Sequence, residues 1–260
     1  MGVVNVTPDS FSDGGLYQST QQAITHAKNL IDEGADILDI GGESTRPGSQ
    51  SVSIDEELNR VIPVLEALVG TNIPISIDTS KPEVMKHAIE SGAFMINDVN
   101  ALRSPGALET VAQSNHVQIC LMHMQGAPQN MQKNPQYKNI VSEVKEFLQQ
   151  RINAAKAVGI SQDRLVIDPG FGFGKTLQHN LKLLNQLDKL TTLGVPVLAG
   201  LSRKSMLGAI TGNSVDHRIH ESIAAALLAV IKGAKIVRVH DVKASKEALA
   251  VYNAMKNCDV

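Results

Sequence analysis

The sequence predicts a single α/β domain with the (β/α)8 fold, the TIM-barrel architecture. Eight short apolar segments occur at residues 2–5, 37–40, 73–78, 95–97, 118–123, 165–168, 195–200 and 236–240. They are rich in Val, Ile and Leu but do not alternate strictly, which is typical of parallel strands buried on both faces. Helical patterns separate them, and a chain of 260 residues suits one barrel of about 250 residues. We therefore expect one domain over residues 1–260.

The segments between the strands carry helix signals. Residues 21–32 place their apolar side chains on one face and precede Gly34, a typical C-terminal stop. Ser53 and Glu56 form a capping-box signature, and Ser80 precedes Pro82 in a similar start signal. A short helix is expected to open at residues 104–105. Longer helices are expected over residues 139–158, 177–190, 220–232 and 244–256.

A glycine–alanine pair ends three of the predicted helices and precedes a predicted strand, and the residue five places after each glycine is polar. The glycines are Gly34, Gly92 and Gly233, and the polar residues are Asp39, Asn97 and Arg238. The uneven spacing excludes a tandem repeat but suits helix–strand units with loops of variable length. A doubly wound open sheet is the main alternative, and eight strand–helix units favour closure.

Polar residues stand at or just after the ends of the predicted strands. They are Asn5, Asp39, Asp78, Asn97, His123, Asp168, Lys204, Arg238 and His240. The carboxyl ends of parallel strands in a barrel meet at one face, where such enzymes build their active sites. The sequence therefore predicts a polar pocket at this face.

Composition excludes several classes of protein. A net charge of −2 and the lack of a Lys/Arg block argue against a nucleic-acid surface. The longest apolar run, residues 223–231, is far shorter than the roughly 18 residues of a membrane span. Cys120 lies in a predicted strand and Cys258 near the C-terminal end, so a disulfide is not expected. We expect a cytoplasmic protein.

Six motifs occur in a fixed order along the chain: NVTPDSFSDGG, GGESTRPG, IDTSKPEV, DPGFGFGK, SRKS and RVHD. Together they resemble the signatures of the dihydropteroate synthase family, and the resemblance spans residues 1 to about 243. That family couples 6-hydroxymethyl-7,8-dihydropterin diphosphate to 4-aminobenzoate and releases diphosphate. The resemblance implies the same fold and the same reaction, with sulfonamides as competitors and a homodimer as the assembly.

The resemblance implies a pterin site at the strand ends. Carboxylates accept the adjacent N–H donors of a 2-amino-4-oxo edge, and an amide can both donate and accept. The residues expected to hold the pterin are Asp78, Asn97, Asp168 and Lys204, with Met122 against its face.

The diphosphate needs cations and donors. Arg238 and His240 alternate on the last predicted strand, so both are expected to point to the same side. Asn5 and Thr45 resemble the family's contacts to metal and diphosphate. Mg2+ is the expected cofactor, since it often bridges phosphates through one protein oxygen plus waters.

The aminobenzoate site is expected to involve the DPGFGFGK and SRKS motifs. The first motif is not a P-loop, because Gly170 leaves three residues rather than four before Gly-Lys-Thr. Phe173 is expected to contact the aminobenzoate ring, and Ser202 is expected as a simple N-cap of the helix that follows SRKS. The remaining expected contacts are Ser205 and Arg46 for the carboxylate, Pro47 and Phe11 as apolar walls, and Asp13 with Arg46 on loops that close over the substrates.

The implied mechanism is a dissociative displacement, because a neutral aromatic amine needs no strong base and the difficult step is the departure of diphosphate. Two other hypotheses remain. A barrel methyltransferase acting on reduced folates would share the pterin-reading carboxylates but would not need the Arg46 loop or the Arg238/His240 pair. A catalytically silent pterin-binding protein would lack loop residues that this sequence retains.

Overall fold

The structure is a computed structural model that describes residues 1–6, 16–45 and 48–258. Eight strands alternate with helices along the chain. The strands are β1 (Gly2–Asn5), β2 (Leu38–Gly41), β3 (Ile75–Asp78), β4 (Met95–Asp98), β5 (Gln118–Met122), β6 (Leu165–Asp168), β7 (Leu198–Ala199) and β8 (Ile236–Val237). The helices are α1 (Leu16–Asp32), α2 (Ile54–Leu68), α3 (Pro82–Glu90), α4 (Ala107–Ala112), α5 (Ile140–Ala157), α6 (Leu177–Asn185), α7 (Asp188–Thr191), α8 (Ser205–Thr211), α9 (Ile219–Ile231) and α10 (Val242–Asn257).

The eight strands form a closed parallel barrel. Strands β1 to β6 pair in sequence order, and β7 pairs with β8. Two isolated parallel bridges, Ile167 with Val197 and Gly2 with Val239, join these two sheets on both sides. The second junction is hydrogen-bonded from Val3 N to Val239 O at 3.1 Å and from Val239 N to Met1 O at 2.9 Å. The predicted (β/α)8 architecture is confirmed.

The strands are buried on both faces, as their non-alternating composition predicts. A small apolar cluster of Met1, Met95, Cys120, Val166 and Leu198 joins residues from across the barrel. A much larger cluster contains the helix faces and the strand residues packed against them, including Leu38, Ile77 and Leu183. Packing on both sides fixes the strands and therefore the directions in which their end residues point.

The three glycine–alanine pairs are identical helix caps. Gly34, Gly92 and Gly233 have φ of 93°, 95° and 103°. Each following alanine donates its N–H to the carbonyl five residues earlier at 2.9 Å, and each glycine donates to the carbonyl three residues earlier. These are Schellman motifs, in which a left-handed residue ends the helix and redirects the chain. A fourth, at Gly159 and Ile160, has no alanine and the sequence pattern does not include it.

Several predicted helix boundaries are confirmed within a few residues, and four details are wrong. Ser53 caps α2 by accepting a hydrogen bond from Glu56 N. Ser80 does not cap α3, because its hydroxyl donates to Asp98 instead, and the helix begins after Lys81. The short helix begins at Ala107 rather than at residues 104–105. The single helix predicted over residues 177–190 is divided into α6 and α7. The N-cap position of α8 is occupied by Lys204 and not by the predicted Ser202.

None of the helices within the described ranges combines the length and the apolar character that a membrane crossing requires.

Candidate active site

Four side chains from strands on different sides of the barrel meet at its carboxyl face. Arg238 donates from Nε to Asp39 Oδ2 at 2.6 Å and from Nη2 to Asp78 Oδ2 at 3.1 Å. Asn97 donates from Nδ2 to the same Asp39 oxygen at 3.1 Å. The Asp39 side chain is fully buried, that of Asp78 is 11% exposed and that of Arg238 is 22% exposed. Two carboxylates therefore share one guanidinium at the barrel mouth.

The charges of this group are mutually dependent. Burial and the neighbouring Asp39 carboxylate raise the pKa of Asp78 to about 8, although the Arg238 charge opposes that rise. Burial alone would lower the pKa of Arg238, but Asp39 and Asp78 raise it above its ordinary value. With both carboxylates ionised the group carries a net negative charge, which suits a ligand that presents N–H donors.

A second group lies at the ends of β6 and β7. Asp168 accepts a hydrogen bond from Gly170 N at 2.7 Å, and burial raises the pKa of Asp168 while the Lys204 charge opposes the rise. Burial lowers the pKa of Lys204 to about 8, and Asp168 opposes that shift. Lys204 donates to Phe171 O, and its Nζ atom lies 4.8 Å from the centre of the Phe173 ring. The ring and the carbonyl hold the ammonium from two directions.

An apolar wall lies beside these polar groups. Met122 is buried and packs in a small cluster with Val99, Met124 and Met131, against which Phe173 also packs. Met122 is the last residue of β5 and pairs in register with Asp168, the last residue of β6. A flat ligand held by the carboxylates would therefore meet a methionine and an aromatic ring.

The SRKS segment is attached to the end of the barrel's last strand. Ser202 accepts a hydrogen bond from His240 N at 3.2 Å, and its hydroxyl lies 3.0 Å from His240 Nδ1. Arg203 has φ of 57° and pairs with Asp241 through Nη2 at 2.6 Å. These contacts explain why Ser202 is not free to cap the helix. Ser205 is exposed at the first position of α8, beside Lys204.

Arg238 and His240 have different partners. The guanidinium of Arg238 reaches across to β2 and β3, whereas the imidazole of His240 contacts Ser202. Strand β8 ends at Val237, so both residues lie beyond the regular strand in which alternate side chains share a face. The expectation that they point to the same side does not follow from strand geometry here.

The loop after β2 forms one side of a cavity of about 280 Å3. Thr45 and Asp78 line this cavity together. Lys81 is bonded to Glu43 of this loop and to Glu57 of α2, and Glu57 is almost fully buried. This three-residue ion cluster fastens the loop to the helix. Four expected contacts, Phe11, Asp13, Arg46 and Pro47, lie outside the described residues.

The residues described by the structure contain no cluster of three or more His, Cys, Asp or Glu side chains that could hold a metal ion. Asn5, the residue expected to hold Mg2+, ends β1 and pairs in register with Gly41 beside Asp78. A metal at this place would need its other ligands from the substrate and from water.

Sequence reasoning assigned no role to three residues that the geometry brings into the site. Asp39 was expected as a strand-end residue without a function, yet it joins Asn97 to Arg238. Lys175 and His123 are buried together beneath the 170–173 turn. The signal for Asp39 was the shared spacing after Gly34, Gly92 and Gly233, since the three residues so marked are the ones that meet.

The model of a family described as pterin binding enzyme matches residues 1–240. The chain belongs to the pterin-binding enzyme family. Dihydropteroate synthase from Neisseria meningitidis serogroup C is 53% identical over 259 residues, which cover 98% of this chain and 92% of that protein. The family resemblance predicted from the sequence motifs is confirmed.

Solved structures of pterin-binding enzymes have the same fold. A Xanthomonas albilineans dihydropteroate synthase solved with 4-aminobenzoic acid has a TM-score of 0.93 and 54% identity, covering 98% of this chain and 92% of that one. A Yersinia pestis dihydropteroate synthase solved with a sulfonamide drug has a TM-score of 0.94 and 46% identity, covering 99% and 94%. The barrel and its order of strands are therefore those of enzymes that bind these ligands.

Proposed function

We propose that the chain is a transferase that condenses 6-hydroxymethyl-7,8-dihydropterin diphosphate with 4-aminobenzoate, giving 7,8-dihydropteroate and diphosphate. The family match and the dihydropteroate synthase relatives support this reaction. The observation that carries it is the meeting of Asp39, Asp78 and Asn97 around Arg238 at the barrel mouth. A cluster of acceptors with a single shared cation is suited to a heterocycle that offers several N–H donors.

The pterin is held by the strand-end carboxylates. Asp168 and Asp78 accept its N–H groups, Asn97 donates and accepts, and Lys204 donates to its carbonyl or ring nitrogen. Met122 packs on the ring face, since it lies in the apolar wall next to Asp168. Binding favours the ionised form of Asp78, because a carboxylate accepts charge-assisted hydrogen bonds more strongly than a neutral carboxyl group does.

The aminobenzoate lies between the 170–173 turn and the start of α8. Phe173 contacts its ring, and Ser205 with Arg46 binds its carboxylate. Pro47 and Phe11 contribute apolar contacts. The Phe173 ring lies 4.8 Å from Lys204 Nζ, and Ser205 directly follows Lys204 in the chain, which supports a common site for them.

The diphosphate is bound by Arg238, His240 and Thr45, and Asn5 is the residue that would hold Mg2+. Asn5 would supply one amide oxygen, a donor type that Mg2+ accepts. When bound, Mg2+ neutralises charge on the leaving diphosphate.

The displacement is dissociative. The bond between the pterin methylene carbon and the diphosphate oxygen breaks first, and the electron pair leaves with diphosphate. The aminobenzoate nitrogen then forms the new bond to carbon and loses one proton to solvent. Asp78 and Asp168 stabilise the cationic pterin electrostatically, while Arg238 and His240 stabilise the departing anion.

The chain works as a cytoplasmic homodimer. Leu228 and Ile231 of α9 are 50% and 57% exposed, and Val251 and Met255 of α10 are 72% and 62% exposed. These two neighbouring helices present an apolar surface that a second copy would cover. Cys120 and Cys258 are both free thiols, which suits a reducing compartment. Sedimentation equilibrium tests the dimer, and a monomer at micromolar concentration would exclude it.

The experiment that tests the reaction measures diphosphate release by the purified protein. Release should require both substrates and Mg2+, and a sulfonamide should compete with 4-aminobenzoate. Pterin binding without any diphosphate release would favour a silent binding protein. Methyl transfer from a reduced folate would favour the barrel methyltransferase.

A further inference from the structure

Lys175 is a buried lysine that none of the proposed substrate contacts uses. It is 3% exposed. Its Nζ atom lies 2.8 Å from Gly170 O, 2.9 Å from Phe173 O and 3.0 Å from His123 Nδ1. Lysine is rarely buried to this extent unless its ammonium group is paired, so these contacts need an explanation.

The contacts favour the charged form of this side chain. Burial lowers the pKa of Lys175 well below its ordinary value, and Asp168 opposes that shift. Burial and the Lys175 charge lower the pKa of His123 to about 2, so its imidazole is neutral, and in the tautomer protonated on Nε2 its Nδ1 accepts from Lys175. Nζ has three acceptors at 2.8–3.0 Å and a fourth, His123 O, at 3.4 Å, which suit the three N–H groups of an ammonium better than the two of a neutral amine.

The two carbonyls held by Lys175 are the ends of one tight turn. Phe173 N donates to Gly170 O at 3.1 Å, which closes the turn over residues 170–173. The turn is pressed against the segment after β5. A Cβ atom on Gly170 would lie 1.9 Å from His123 O, and Gly170 has φ of 68°, so only glycine fits there.

This turn supplies both contacts that hold Lys204. Phe171 O accepts a hydrogen bond from Lys204 Nζ, and the Phe173 ring lies 4.8 Å from that atom. A Cβ atom on Gly172 would lie 3.2 Å from Lys204 Cδ, so the backbone of the turn also touches the stem of the lysine. The turn thus determines where Lys204 and Phe173 can lie.

We propose that Lys175 is a positioning residue: its ammonium group fixes the 170–173 turn on His123 and thereby holds Lys204 and Phe173 in their substrate-binding positions. Lys175 itself does not touch substrate. The proposal rests on the proposed function for the identity of the two substrates, and it adds a residue that acts through others.

The test compares Lys175→Met with Arg164→Met in the full chain. The two residues lie beyond opposite ends of β6, and Arg164 is also a buried cation, donating to Val117 O at 2.9 Å and to Val111 O at 3.2 Å. Both variants should unfold at lower urea concentrations than the unsubstituted protein. Only Lys175→Met should lower kcat/KM for aminobenzoate, by about 10- to 100-fold, because small displacements of positioning groups are costly to the reaction.

Chemical rescue separates positioning from folding. Propylammonium should raise the kcat/KM of Lys175→Ala at least about fivefold, because it returns an N–H donor to the space that the lysine side chain leaves. Tetramethylammonium, which has no N–H donor, should not. Neither ion should change the kinetics of Arg164→Met.

Unchanged kcat and KM values in a folded Lys175→Met, or equal kinetic losses in Arg164→Met, would overturn the proposal. Equal rescue by both ions would also overturn it. If Lys175→Met does not fold, the rescue of Lys175→Ala decides. An unsubstituted protein that releases no diphosphate at all would instead overturn the proposed function.

Discussion

Arg238 Nε lies 2.6 Å from Asp39 Oδ2, which ties the end of the barrel's last strand to the end of its second. The same guanidinium reaches Asp78 on the third strand. One cation therefore sets the distance between two carboxylates that would otherwise repel each other. The position of Arg238 depends on its buried partner Asp39, and the charge of Asp78 depends on both.

Asp39→Asn should lower kcat/KM for the pterin diphosphate by about 10- to 100-fold. The substitution keeps the shape of the side chain but removes one charge-assisted partner of Arg238, an interaction of about 1.5–3 kcal/mol. Steady-state kinetics with each substrate varied in turn measures the change. Asp36→Asn is the matched control, because that carboxylate is exposed and pairs with Lys246 at the surface. A full-activity Asp39→Asn variant would show that Arg238 does not need this partner.

The free energy of unfolding should depend on pH through Asp78. Its pKa in the folded protein is about 8, compared with an ordinary value of 3.8. A raised carboxyl pKa means that the fold disfavours the ionised form. Below about pH 4 Asp78 is protonated in both states and does not change the free energy of unfolding. As the pH rises from about 4 to about 8, the carboxyl group ionises in the unfolded chain but stays protonated in the fold, so the stability of the fold decreases. Asp78→Asn carries no charge and should not show this loss.

Urea unfolding of the two proteins at pH 5 and pH 8 tests this dependence. The stability of the unsubstituted protein relative to Asp78→Asn should fall by at least about 1 kcal/mol, since one pKa unit corresponds to about 1.4 kcal/mol. Parallel pH profiles of the two proteins would mean that Asp78 titrates normally.

Asp168→Asn should reduce pterin affinity by at least about 100-fold. An asparagine can still accept the hydrogen bond from Gly170 N with its one oxygen, so the turn should survive. Its NH2 group would then meet the N–H donors of the pterin, and a donor facing a donor cannot bond. Calorimetry with a dihydropterin ligand measures the affinity. Asp163→Asn, at the other end of β6, serves as the control, and undiminished binding by Asp168→Asn would place the pterin elsewhere.

Lys81→Met should destabilise the fold by about 3–5 kcal/mol, because it leaves the buried Glu57 carboxylate without its cation. Lys81→Met combined with Glu57→Gln should recover part of that loss, since the uncompensated charge is then removed. Urea unfolding of the single and double variants measures both effects. Equal stabilities of the two variants would show that Glu57 is neutralised in another way.

The sequence predicted the barrel and the residues at its strand ends because both depend on local pattern. Apolar runs without alternation and the caps at Gly34, Gly92 and Gly233 are each encoded within a few residues. The bonds among the end residues could not be predicted, since Asp39 and Arg238 are 199 positions apart and meet only because the barrel closes.

Other features depend on competing partners that a linear pattern does not show. Ser80 has the signature of a helix cap, but the buried Asp98 of the neighbouring strand is the partner it bonds. Leucines recur at helical spacing from Leu181 through Leu184 to Leu187, and Leu187 is buried, although the helix is interrupted there. Excluding a P-loop leaves Lys175 without a predicted role, because a linear pattern does not show that its ammonium group contacts the carbonyls of Gly170 and Phe173.

The repeated caps at Gly34, Gly92 and Gly233 lie at the opposite end of the barrel from the candidate site, yet the positions of three site residues depend on them. Each polar residue, Asp39, Asn97 or Arg238, comes five residues after its cap. The position of the cap therefore sets the register of the residue that reaches the carboxyl face. One residue added between Gly34 and Asp39, or between Gly92 and Asn97, would turn the polar group outward and bring Leu38 or Ile96 inward. A change of chain length at the amino ends of these strands can therefore inactivate the protein without altering any residue at the face where its ligands would bind.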